Sequence, residues 1–171
     1  IRRAPALEPI TPLPRTSEDS PLSFAQRRFW VLHKLEPETS VYHISGALEF
    51  RGPLQVPALE QALDEILRRH EILRTVFPDL EGRPYQQILP FEPHTLATED
   101  LQHQVTPQQE AQVLRQFVSE VLHQPFDLAQ GPLFRTRLLL LEPRRSMLLI
   151  CMHHIIADGT SVAVFARELG H

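Results

Sequence analysis

Beyond residue 22 the chain reads as short apolar runs whose period keeps changing. Phe24, Phe29, Trp30, Leu32 and Leu35 alternate with Gln26, Arg27, Arg28 and Lys34 at roughly helical spacing, with Ser23 placed to cap the start. Tyr42, Ile44, Ala47, Leu48 and Phe50 predict a strand over 42–51, closed by Gly52-Pro53. Leu59, Leu63, Ile66 and Leu67 follow the i, i+4, i+7, i+8 rule and predict a helix from Val56 to His70. Ile72 to Phe77 and Tyr85 to Leu89 read as two short strands joined through Asp79-Leu80-Glu81-Gly82 as a hairpin. A third helix is expected from Thr106, with Pro107 in its first turn, to His123. Leu133–Leu141 and Met147–Ile155 are apolar strands joined by Glu142-Pro143-Arg144-Arg145. The second is apolar at nearly every position, which predicts a central strand covered on both faces. A last amphipathic helix begins near Thr160. Helices alternating with strands and hairpins predict an α/β fold, a two-layer sandwich with helices packed on a mixed sheet.

Proline separates the first stretch from the rest. Pro5, Pro9, Pro12, Pro14 and Pro21 remove backbone donors and push their predecessors out of helical space, so residues 1–21 read as an extended interdomain linker and 22–171 as the folded unit. The chain starts at Ile1 without Met, which reads as a segment of something longer. A length of 171 residues suits one domain. Seventeen Lys+Arg against 21 Asp+Glu, a net charge of −4, argue against a nucleic-acid surface, which needs clustered cations. One cysteine, Cys151, excludes an intrachain disulfide framework and fits a reducing, cytoplasmic setting; inside an apolar strand it reads as a core thiol. No apolar run approaches the ~18 residues a membrane span requires, so no membrane partner is expected.

The chemistry concentrates in Met152-His153-His154-Ile155-Ile156-Ala157-Asp158-Gly159-Thr160-Ser161, where an apolar strand hands over to a turn and then a helix. Successive strand residues point to opposite faces, so one histidine is expected to be buried structure and the other to look into a cleft. The same alternation argues against a metal held by both histidines. Histidine is the natural general base near neutrality, and a positioned base contributes typically 10²–10⁴-fold in rate. Asp158 has two readings: a cap for the following helix, or an ion-pair partner of an arginine that pins the loop. Gly159 either lets a substrate approach the backbone or makes the turn.

This segment resembles the His-His-x-x-x-Asp-Gly motif of condensation domains in nonribosomal peptide synthetases, within the chloramphenicol acetyltransferase-like superfamily. Ser23-Phe24-Ala25-Gln26-Arg27-Arg28-Phe29-Trp30-Val31-Leu32 is similar to the opening motif of that family, and Arg69-His70-Glu71-Ile72-Leu73-Arg74-Thr75-Val76-Phe77 to the second, in the same order. The resemblance implies an N-terminal lobe of a condensation domain whose C-terminal lobe is absent. It implies His154 as the active-site residue and His153 as the buried one. Gly159 then lies beside the reacting thioester, and Asp158 holds the loop by an ion pair with Arg69 or Arg74. The implied reaction joins a carrier-bound acyl or peptidyl thioester to a carrier-bound aminoacyl acceptor. Both substrates arrive on phosphopantetheine arms of upstream and downstream carrier domains, with an adenylation domain adjacent and no cofactor or metal bound directly. His154 would act as base, positioner or oxyanion stabiliser.

Some positions depart from that pattern. Thr160 stands where the condensing group often has Trp, whereas both motif histidines are present, unlike in cyclising relatives. Rival readings are a serine hydrolase on Gly159-Thr160-Ser161-Val162-Ala163, which lacks a following acid and histidine beyond Glu168 and His171, a free-standing acyltransferase completed by oligomerisation, and a non-catalytic docking lobe. An isolated lobe is expected to be inactive and to self-associate through apolar surface meant for a partner.

Overall fold

A nine-residue strand at the centre of the molecule carries the His153-His154 pair at its end, and the rest of the fold is arranged around it. The computed structural model describes residues 20–102 and 107–170. In chain order these form β1 (Ser20–Pro21), α1 (Phe24–Leu35), β2 (His43–Arg51), α2 (Val56–Arg69), a 3-10 turn (Glu71–Arg74), β3 (Thr75–Val76), β4 (Asp79–Leu80), β5 (Arg83–Ile88), β6 (Ala97–Asp100), α3 (Pro107–His123), β7 (Phe134–Glu142), β8 (Arg145–His153) and α4 (Gly159–Leu169).

The main sheet runs β2-β8-β7-β6, antiparallel except for the parallel β6–β7 pair, so it is mixed as expected. Strand β8 lies inside it, paired with β2 from His43↔His153 to Arg51↔Arg145 and with β7 from Phe134↔Met152 onward. Leu138 and Leu139 point to opposite faces of β7, yet both are fully buried. The reason is visible in the contacts. On one face, Phe165 of α4 meets Phe134 with ring centroids 5.6 Å apart; on the other, Arg137 lies over Phe117 of α3. Helices α2 and α4 thus share one face, α3 holds the other, and the centre of the sandwich gains a third layer.

The helix rules of the sequence operate as expected in α2, where Leu59, Leu63, Ile66 and Leu67 are its buried residues, and Arg68 and Arg69 stand in the last turn against the negative end of the helix dipole. Helix α1 is closed by a capping box: Ser23 Oγ accepts the Gln26 N–H and Gln26 Oε1 accepts the Ser23 N–H.

Three elements differ from the sequence expectation. Ile72 to Phe77 is a 3-10 turn followed by two strand residues, because its apolar positions fall at 72, 73, 76 and 77 and lack the period of two that a strand needs. Strand β6 has four exposed residues, Ala-Thr-Glu-Asp, and exists through its pairing with β7. Ser20 and Pro21, placed in the linker by the proline pattern, pair with Gln86 and Tyr85 of β5. The rest of that linker (residues 1–19) and the helix start expected at Thr106 lie outside the described residues. The expected hairpin forms with a tighter turn than the four-residue link read from the sequence: Asp79 and Leu80 pair with Pro84 and Arg83, and only Glu81 and Gly82 lie between, with positive φ of 52° and 78°, the left-handed pair that a two-residue turn between twisted strands favours.

Candidate active site

The sheet register sorts the two histidines. His153 faces the α3 side, is 2% exposed and sits edge-on to Phe126. Its Nδ1 accepts the Ile155 N–H at 3.1 Å, which leaves the hydrogen on Nε2 in the neutral ring. Burial pushes its pKa down to about 3, and the neighbouring His43, His33 and His154 add to the depression. A histidine so held is neutral at pH 7 and serves as structure.

His43 pairs with it across the strands, its Nδ1–H donating to the Leu122 carbonyl at 2.7 Å. His33 of α1 completes the group, 6.2 Å from His153 between ring centroids. Both have pKa values lowered, first by burial.

His154 lies just past the strand, where its backbone N–H donates to the Tyr42 carbonyl at 2.8 Å. Its ring stacks on Phe29 of α1, centroids 4.7 Å apart and planes 20° from parallel. It is half-buried, and no described residue hydrogen-bonds its ring nitrogens. Phe29, which the sequence marked only by its place in the helix pattern and the opening motif, is therefore the platform for this imidazole.

Asp158 caps α4. Its Oδ1 accepts the Ser161 N–H at 2.8 Å and the Ser161 hydroxyl at 2.7 Å, and these bonds hold its carboxyl below the usual carboxylate range. The ion pair expected between Asp158 and Arg69 or Arg74 is not formed. Arg69 ends α2 beside the far end of α4 and meets Glu65 and Glu168, while Arg74 donates to the Leu89 carbonyl and approaches Glu71. The capping reading of Asp158 accounts for all of its described contacts. Gly159 opens α4 without a left-handed φ, and a Cβ there would meet nothing within 4 Å. The turn does not require glycine at this position.

A cleft of about 390 Å³ opens between α2 and the N-terminal half of α4. Ile66, Leu73, Ile156 and Val164 supply apolar walls; His70, Asp158, Thr160 and Ser161 are the polar residues that line it. His154 stands outside this lining. Among the described residues no group of three or more His, Cys, Asp or Glu side chains could hold a metal ion, and no helix is long and apolar enough to cross a membrane. Cys151 is fully buried, and burial raises its thiol to about 11, the state of an inert core residue.

Residues 16–171 match the Condensation domain family over nearly the whole chain. The chain belongs to the condensation domain family. As a condensation-domain chain it is 42% identical over 160 residues to malpinin synthetase of Mortierella alpina, a match that covers 94% of this chain and 2% of that protein. It is 39% identical over 172 residues to phosphinothricin tripeptide synthetase PhsC of Streptomyces viridochromogenes, 99% of this chain and 16% of that one. Among solved structures it superposes on the starter condensation domain of rhizomide synthetase RzmA with a TM-score of 0.77 and 30% identity, covering 87% of this chain and 37% of that chain. For the first condensation domain of the CDA synthetase the values are 0.78 and 29%, covering 90% and 40%. This condensation-domain chain thus spans less than half the length of those solved domains and a small part of the synthetases.

Proposed function

We propose that this chain carries the reacting histidine of an enzyme that forms an amide between two carrier-borne substrates. The amine of an aminoacyl thioester attacks the carbonyl of an acyl or peptidyl thioester; the C–N bond forms, the C–S bond breaks, and the thiol leaves with a proton. The observation that carries this reading is the His154 imidazole, stacked on Phe29 at the end of the central strand with both ring nitrogens uncommitted to described residues. Such a ring is free to orient the amine, to take its proton or to stabilise the developing oxyanion. Gly159 supports the same reading, since the space that a Cβ would enter there is open to a substrate.

The substrates arrive on phosphopantetheine arms of upstream and downstream carrier domains, with an adenylation domain adjacent, in the cytoplasm. The remaining part of a full-length condensation domain shelters the site. His153, Asp158, Arg69 and Arg74 act as structural support: His153 as a neutral packing residue, Asp158 as the cap of α4, and the arginines by tying α2 and the 3-10 turn to their neighbours.

The test is single-turnover amide formation from two loaded carrier domains by the full synthetase. His154→Ala should lower the rate by at least 10²-fold, the lower range for a positioned acid–base group, without changing the unfolding temperature. A variant with wild-type turnover would remove His154 from the reaction.

A further inference from the structure

Helix α4 starts a short loop after His154 and ends beside α2, and its two ends are held in different ways. At the N-terminus the Asp158–Ser161 capping box is internal to the helix and its lead-in, so it ties the loop to α4 but to nothing else. Between this end and α2 lies the cleft of about 390 Å³. Toward its C-terminus α4 meets both the sheet and α2. There Phe165 is buried against Phe134, and the His70 Nε2–H donates to Glu168 Oε2 at 2.8 Å. Arg69 Nη1 lies 3.5 Å from the same oxygen. Among the described residues, Glu168 takes every polar contact that crosses from α2 and its cap residue to α4. Its carboxyl is held below the usual range, mainly by the His70 hydrogen bond, and is charged at neutral pH.

The loop that leads into α4 is packed through the buried Ile155, Ile156 and Ala157, so the far end of the helix is where its direction against α2 is set. Asp158 and Glu168 are ten residues apart, about 15 Å along the axis at 1.5 Å per residue. Phe165, the buried residue of α4, and Leu169, partly buried against the same core, fix the distance of α4 from the sheet, while the contacts of Glu168 set how it lies against α2. His70 has a fixed place from which to hold Glu168, since its own backbone N–H closes α2 on the Ile66 carbonyl.

We propose that His70 is a positioning residue for the amide-forming reaction: by donating to Glu168 it sets the direction of α4, and with it the placement of the loop from His154 to Gly159 beside the cleft. This rests on the reaction assigned to His154 above. The anchor that the family resemblance places at Asp158 is, in this chain, located at the other end of the same helix.

Displacement of a reacting group by about 1 Å can cost on the order of 10²-fold in rate without affecting substrate capture, so the effect belongs in kcat. In the full synthetase, Glu168→Ala should lower kcat at least tenfold while KM for each loaded carrier stays within twofold. Glu168→Gln keeps an acceptor oxygen for the His70 donor and should stay within threefold of wild type. His70→Phe keeps a ring and loses the donor; it should reproduce the alanine variant and serves as the probe if that variant does not fold. Equal losses in the Gln and Ala variants, a loss confined to KM, or an unchanged kcat in His70→Phe would overturn the assignment. His154→Ala measured alongside separates the two levels. If it abolishes turnover while His70→Phe does not, only the positioning role fails; if it leaves turnover intact, the reaction reading itself fails.

Discussion

Two identical side chains in consecutive positions are given different chemistry by the face on which each emerges. His153 is enclosed by Phe126, His43 and His33, whereas His154 keeps one ring face on Phe29 and its nitrogens uncommitted. The enclosure has a pH cost of definite sign. The His153 pKa falls from 6.5 in the unfolded chain to about 3 in the folded one, so the unfolded state binds a proton first as the solution is acidified. Stability is complete above about pH 6.5 and is lost progressively down to about pH 3, with a deficit of about 2 kcal/mol at pH 5. His33 and His43 shift in the same direction and add to it. Urea unfolding at pH 7.5 and pH 5 should show this loss, and His153→Gln should show a smaller one. Equal pH dependence in the two proteins would exclude His153 as the source. The opposite-face argument was available from strand alternation alone; the depression was not, because His33 and His43 come from α1 and β2 and nothing in their spacing announces that they meet.

At the scale of elements, α1 shows what periodicity reveals and what it leaves out. Its helical spacing and Ser23 cap were readable, yet the helix contains no buried residue, and Phe24, Val31 and Leu35 are exposed along it, Phe24 almost completely. Seven- and four-residue steps put these three on one stripe, with Val41 exposed in the loop that follows. An apolar stripe of this kind promotes association. Light scattering at rising concentration should show self-association of the 171-residue chain, weakened in Phe24→Ser combined with Leu35→Ser; a strict monomer at high concentration would refute it. Elements with buried faces were legible, α2 because burial of one face imposes a helical period and β8 because burial on both faces imposes a continuous apolar run. Strand β6 and the 3-10 turn were not, since the first is made by backbone pairing and the second by a short apolar run that fits neither period. Likewise, the Asp158 cap was legible from local order, while the junction of His70 with Glu168 depends on how α2 and α4 lie together in space.

At the scale of the whole molecule, the chain has a continuous core, from Leu63 in α2 through Leu138 and Leu148 in the sheet to Val121 in α3, and it leaves His154 half-exposed. Solved condensation domains are considerably longer than the part this chain matches. We expect the 171-residue chain alone to yield no amide above background from two loaded carriers, and a longer chain containing a whole condensation domain to restore turnover. Full activity in the shorter chain would contradict this. The antiparallel pairing of β2 with β8 runs unbroken over nine residue pairs, and the only irregularity along β7–β8 lies between Leu140 and Glu142, next to the hairpin tip and about 25 Å from the histidines. Length variation is therefore tolerated where it does no harm. Residues inserted at that tip lengthen a solvent-facing turn, but one residue inserted within the paired part of β8 would carry His153 to the position that His154 now holds and push His154 one position further on. Descent with insertions and deletions can remodel one end of this hairpin freely while the other end keeps count.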